Sequence, residues 1–216
     1  MRKNRDVSGL PLRERKKEMI RQAIMENAER LFRAHGYDHV TVAEIANAAN
    51  VSVKTLFTYF DSKEDLVFND NWLIDTLIGS MSARAPGVSH AQAIAAALSA
   101  FIRSSNKDVA EGLEGFHRSY GSSDALRSRL LRLWAEYEQT VAHHLATEAG
   151  AGSPTPAMRL HAIQLVTIAR SMIWDEVRIA VTASKPSPAD ALCAWLEEAA
   201  ARVDRGVAAA SEPRED

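Results

Sequence analysis

The ten residues Val51 to Phe60, VSVKTLFTYF, bring Lys54, Thr55, Thr58 and Tyr59 within six positions of one another. One carries an ammonium group and three carry a hydroxyl. Each can donate a hydrogen bond and none is acidic, which is the donor chemistry that phosphate oxygens accept. On a helix these four fall within an arc of roughly 140°, opposite an arc of roughly 100° that holds Val53, Leu56, Phe57 and Phe60. The spacing therefore predicts an amphipathic helix. Its apolar side, with Val51 just before it, packs on helices at 20–32 and 41–49, and its donor side faces outward. An ordinary solvated face would mix Glu with Lys, and this one has no carboxylate.

The flanking sequence must hold that helix in place. Thr41, followed three residues later by Glu44, forms a capping box that opens a short helix with Val42, Ile45, Ala46 and Ala49 inward. Asn50 then supplies a residue that tolerates positive φ, and Ser52 is a good N-cap for the next helix. Residues 41–60 thus read as helix, tight turn, helix. Upstream, Leu10 to His35 reads as one long helix, with Ile20, Ile24, Ala28, Leu31 and Phe32 in a single stripe and Gly36 ending it. Arg13, Arg15, Lys16, Lys17 and Arg21 crowd its first half, where the helix dipole disfavours cations. Such a placement favours an anionic partner.

The charge balance points the same way. Residues 1–60 hold 11 Lys/Arg against 7 Asp/Glu, and residues 61–216 hold 15 against 21. A basic end on an acidic body suits a polyanion at that end only, though on charge alone a solvated tail reads equally well. With 46% apolar and 25% charged residues, abundant alanine, 10 glycines and 7 prolines, the 216-residue chain has a soluble, all-α composition. The single cysteine, Cys193, can form no internal disulfide. It reads as a small buried apolar residue in a reducing, cytoplasmic setting. The longest apolar stretch, AQAIAAALSAFI, is too short to span a membrane, and no signal peptide is visible.

Further helices are expected from Ser62 through Met81 and near 90–104, 107–120, 123–149, 157–183 and 188–209, with GAGSPTP at 150–156 as the clearest linker and SEPRED as a polar tail. Enzyme signatures are missing: there is no Gly-x-Ser-x-Gly, no phosphate loop and no dinucleotide fingerprint. His143 and His144 are adjacent and cannot share a face, and Gly36 interrupts the helix between His35 and His39, so no metal site is expected. Neither is a cofactor.

The stretch AERLFRAHGYDHVTVAEIANAANVSVKTLFTYFDSKEDL resembles the DNA-binding domain of the TetR family of bacterial transcriptional regulators. The likeness covers about residues 15–67. It rests on Leu-Phe-x-x-x-Gly, the Thr-initiated second helix with Ile-Ala, Val-Ser, the aromatic third helix and Lys-Glu-x-Leu. The resemblance implies an all-helical fold, with a DNA-binding domain at 13–62 whose helix-turn-helix is 41–60 and a ligand-binding and dimerisation domain at 63–210; charge and composition add a basic arm at 1–12 and a disordered tail at 211–216. It implies that Thr41, Thr55, Tyr59 and Lys63 hold phosphates of double-stranded DNA, while Val53, Lys54 and Thr58 lie in the major groove. Ser52 completes that set. Two positions depart from the family pattern. Asn50 stands where the turn usually has glycine, and Phe57 stands where tyrosine is usual, so a phosphate contact often made there should be absent.

The resemblance further implies a homodimer through helices 157–183 and 188–209, reading a palindromic operator in successive major grooves. The apolar residues on more than one face of 157–183 independently call for a partner. It also implies a repressor released by an unidentified small-molecule effector. Residues for that pocket are Phe101, Phe116, His117, Tyr120, Trp134, Tyr137, Met172 and Trp174, each of which reads equally as core or surface aromatic packing. A rival reading is a helical enzyme or binding protein whose first three helices are purely structural.

Overall fold

A computed structural model describes residues 11–68, 71–105, 108–121, 123–184 and 187–211. They form ten α-helices and two 3-10 turns, with no strand among the described residues. The expected arm, up to residue 10, and the tail from 212 lie outside them. The chain divides into two compact units, one of residues up to 69 with Ser119–Leu130, the other of Asp70–Arg118 and everything from Leu131.

In the first unit, α1 (Leu12–His35) presents Ile24, Met25 and Ala28 as a fully inward stripe. It stops at Gly36, whose φ of 82° few other residues adopt and whose N–H bonds the Phe32 carbonyl at 2.9 Å. The capping box then starts α2 (Val42–Ala48): Thr41 Oγ1 accepts from the Glu44 N–H at 3.2 Å, and Glu44 Oε2 accepts from the Thr41 N–H at 2.7 Å. Asn50 takes φ 54°, and the Val51 N–H closes the turn on the Ala46 carbonyl at 2.9 Å. Ser52 Oγ accepts from the Thr55 N–H at 3.0 Å and caps α3 (Val53–Tyr59). The three helices enclose one core of Ile24, Met25, Ala28, Val40, Ile45, Ala46, Leu56, Phe60 and Leu66. Because this core gathers residues from every helix and from the following 3-10 turn, Glu64–Leu66, α3 cannot shift without disturbing it.

The second unit is organised around α5 (His90–Ser104), which buries Ala91, Ile94, Ala95, Leu98 and Ile102. The alanines permit close approach of α4 (Trp72–Ser82), α8 (Pro156–Arg170) and α10 (Pro188–Ser211). Cys193 on α10 is fully buried, with its thiol 3.8 Å from the Ser99 carbonyl oxygen, as a packing residue should be. Helices α6 (Val109–Gly121), α7 (Asp124–Glu148) and α9 (Asp175–Ala183) complete the chain.

Two expected helices are interrupted. The helix beginning near Ser62 is a single 3-10 turn, followed only at Trp72 by α4. The helix at 157–183 ends at Arg170, passes through a 3-10 turn at Ser171–Ile173, and restarts after Trp174 in an extended conformation (ψ 143°). Ser171 donates back to the Ile168 carbonyl at 2.8 Å and accepts from Trp195 Nε1 at 2.8 Å, which bends the chain there. Asp175 and Glu176 suit the positive end of the new helix. Leu165, Val166, Ile168 and Val177 are buried, whereas Leu160, Ile163 and Ile179 stand 60%, 44% and 57% exposed.

Candidate nucleic-acid interface

Helix α3 is turned differently from the expected wheel. Leu56 is wholly buried and Phe60 nearly so, but Phe57 is 47% exposed and Val53 40% exposed. Tyr59, expected on the outer side, is half-buried and packs against the core. The physical reason is the direction of burial. With Leu56 at the centre, Tyr59 lies about 60° to one side and Phe57 about 100° to the other. The core of α1 and α2 sits toward Tyr59, so the buried arc rotates that way and releases Phe57. Phe60 remains buried because it has left the helix, with φ −141° and ψ 126°.

The outward face of α3 therefore carries Val53, Lys54, Phe57 and Thr58, with Ser52 exposed before it and Thr55 half-buried at its margin. The hydroxyls are partly committed. Ser52 Oγ and Thr55 Oγ1 are 2.8 Å apart, and Thr58 Oγ1 donates to the Lys54 carbonyl at 3.1 Å. Thr41 is exposed, and its hydroxyl donates to Glu44 Oε2 at 2.7 Å. Two bonds from Thr41 hold the Glu44 carboxyl below its ordinary range. On α1, Arg13, Lys16 and Lys17 are exposed, while the Arg21 guanidinium lies over the Phe60 ring at 5.7 Å.

Behind α3 stands a network that local sequence patterns do not reveal. Lys63 Nζ donates to the Tyr37 carbonyl at 2.6 Å and sits over the Tyr37 ring at 4.0 Å. Partial burial lowers the Lys63 pKa from its ordinary value. The Tyr37 hydroxyl donates to Glu64 Oε1 at 2.7 Å, and burial together with that carboxylate pushes the phenol well above its usual range. Burial would raise the Glu64 and Asp65 carboxyls, but it is outweighed by hydrogen bonds, from Tyr37 to Glu64 and from Arg129 and Ser62 to Asp65, so both lie below their ordinary values. Arg129 Nε donates to Asp65 Oδ1 at 2.7 Å. The partners Tyr37 and Glu64 are 27 residues apart and Asp65 and Arg129 are 64 apart, beyond the reach of any helical or turn spacing.

Residues 24–69, which contain α2, the turn, α3 and this network's core, match the family model of the bacterial regulatory proteins of the tetR family. The HTH-type transcriptional regulator TcmR of Streptomyces glaucescens is 30% identical over 149 residues, which is 66% of this chain and 66% of that one. The chain belongs to the TetR family of bacterial transcriptional regulators. The TcmR match spans just under two thirds of that relative's length. Similar solved structures include Thermus thermophilus FadR, a TetR-family repressor in complex with lauroyl-CoA, at 21% identity over 91% of this chain and 97% of FadR, with a TM-score of 0.49. Another is Salmonella enterica GusR, at 15% identity over 86% and 94%, with a TM-score of 0.47.

The eight residues expected for a TetR-family effector pocket are scattered in character. Trp134 and Tyr137 are buried and meet edge-to-face at 5.8 Å, and Phe116 meets His117 at 5.9 Å. Phe101 and Trp174 are 42% and 40% exposed and pair instead with Trp72 at 4.0 Å and Trp195 at 6.5 Å. Met172 and Tyr120 are half-buried. His117 places Nδ1 3.5 Å from Asp175 Oδ1 and buries Nε2 without a hydrogen-bond partner. Among the described residues, one shallow surface depression is lined by residues from Glu26 to Ala34 and another by Glu136, Gln139, Thr140 and His143. None of the eight lines either. Asp175 is exposed and joins Glu114 in holding Arg178, at 3.0 and 2.6 Å.

Proposed function

We propose that this TetR-family chain binds a palindromic DNA operator as a homodimer and represses transcription until a small-molecule effector releases it. The observation that carries the reading is α3, a short helix with its inner face locked in the core and an acid-free outer face of Val53, Lys54, Phe57 and Thr58. A helix presented in this way inserts into the major groove, and its flanking hydroxyls and cations meet the backbone. Thr41, Ser52, Thr55 and Tyr59 take the phosphate side. Lys63 joins them because an ammonium has three donors, of which the Tyr37 carbonyl uses one. The DNA-binding part then spans about 13–62 and the regulatory part 63–210.

The exposed Leu160, Ile163 and Ile179 support pairing of the 157–183 and 188–209 segments with a second copy. The effector would lie within the regulatory part, with Phe116, His117 and Met172 among the half-buried members of the proposed lining. It would act by binding the non-DNA-binding form more tightly. The proposed setting is cytoplasmic, and no described helix is long and apolar enough to cross a membrane. The proposed activity needs no catalytic group.

The test is binding of the purified chain to duplexes from around its own gene, measured by gel shift across a salt series. Binding that falls steeply with salt supports the reading, because neutralised phosphates release counterions. Binding to no fragment, or binding indifferent to salt, would leave the first three helices as mere structure.

A further inference from the structure

The outer face of α3 is organised as two parallel rows. Lys54 and Thr58, four residues apart, form a polar row; Val53 and Phe57, also four apart, form an apolar row beside it. Both apolar residues are substantially exposed, at 40% and 47%. A single exposed apolar side chain on a protein surface is ordinary, but this pair occupies half of the outward face of a seven-residue helix. No carboxylate interrupts it, and the cation Lys54 flanks it. The face therefore suits an anionic partner that presents apolar groups at a fixed spacing.

Duplex DNA has one such group in its major groove. Base edges there are hydrogen-bond donors and acceptors, except for the C5 methyl of thymine. Side chains at i and i+4 on a helix have Cβ atoms about 5–6 Å apart. Bases along one strand rise about 3.4 Å per step. Val53 and Phe57 together thus span one to two base steps. Phe57 has no hydroxyl to draw it to a phosphate, and its exposed ring gains only by covering apolar surface.

We propose that Val53 and Phe57 form an apolar reading pair that selects two thymines, one or two steps apart, in each operator half-site through their C5 methyl groups. Phe57 is then a specificity-determining residue and not merely a position that has lost a backbone contact. The inference rests on the DNA-binding reading above.

The test removes the methyl from the DNA and leaves the protein intact. Preferred duplexes are selected from a random pool with the full chain, and single thymines are replaced in turn by deoxyuridine, which lacks only that methyl. Affinity is read by fluorescence anisotropy. At two thymines per half-site the substitution should weaken binding about fourfold, the value of one buried methyl. In Phe57→Ser the thymine-to-uracil ratio should fall to about one at one of these positions, and in Val53→Ser at the other, with the salt slope unchanged. If wild type binds its selected site but tolerates deoxyuridine everywhere, the proposal is overturned. It is equally overturned if both variants bind and keep the wild-type ratio. Selection that yields no preferred sequence and no salt-dependent binding overturns the DNA-binding reading itself, and this pair with it.

Discussion

Lys63 is the residue at which anchoring and recognition should separate most clearly. It donates to the Tyr37 carbonyl at 2.6 Å and lies 4.0 Å from the Tyr37 ring centroid, yet it is also proposed to reach a phosphate. Lys63→Met keeps most of the aliphatic stem and removes the ammonium. A hydrogen bond to a charged group contributes about 1.5–3 kcal/mol when well shielded, and the cation over the ring adds about 0.5–1 kcal/mol. Lys63 is only partly buried, so solvent screening reduces the net loss to about 1 kcal/mol. For a chain of this size that is a fall in Tm of about 2–4 °C. Calorimetry of the free protein should show it, whereas Lys54→Met, at an exposed site, should leave Tm unchanged.

DNA binding gives the second readout. Each lost phosphate contact lowers the slope of log K against log salt by about 0.9, so a dimer lacking both Lys63 ammoniums should lose about 1.8. The weakening should be the same for every sequence, whereas Lys54→Met should also alter sequence preference. A Tm for Lys63→Met within 1 °C of wild type would show that the Tyr37 anchor contributes nothing. A lowered Tm with an unaltered salt slope would refute the phosphate contact and leave Lys63 as a purely internal brace.

Asn50→Gly should leave stability within a few tenths of a kcal/mol of wild type, while Asn50→Ala should cost about 1 kcal/mol, because φ is 54° there; equal melting curves for the two would contradict the turn geometry. Glu64 and Asp65 have pKa values lowered by folding, so their stabilising contribution is complete above their unfolded values of about 4 and is lost as pH falls through the lower folded values. Tyr37→Phe should accordingly destabilise by about 1 kcal/mol at pH 7, discounted for the solvent around Glu64, and by progressively less below pH 4; denaturant titration at both pH values reads this, and a pH-independent difference would rule out the carboxylate as the cause. Leu160→Glu with Ile163→Glu should convert the proposed dimer to monomer in size-exclusion chromatography without lowering helix content, since both side chains are exposed within one chain; a dimer retained in the double variant would place the interface elsewhere.

What was legible in the sequence is what neighbouring residues decide between themselves. Thr41 and Glu44 announce the start of α2, Asn50 the turn and Ser52 the start of α3, because each signal is a hydrogen bond or backbone preference acting within four residues. The core stripe of α1 is legible for the same reason. The orientation of α3 is not, since seven residues make barely two turns, and a helical wheel cannot say which flank of Leu56 the rest of the protein covers. That choice is made by residues of α1 and α2, and it exchanges Tyr59 for Phe57 on the surface. The breaks after Leu66 and Arg170 escape for a related reason: apolar periodicity continues across them, while the Ser171–Trp195 hydrogen bond that fixes one of them joins residues 24 apart. The consequence for the interface is specific. On the DNA-binding reading proposed above, a short helix seated by a distant core is read over its whole outward side, apolar residues included. Here that side is equally Val53 and Phe57, which hydrogen-bond arithmetic leaves out, and Lys54 and Thr58, which it counts.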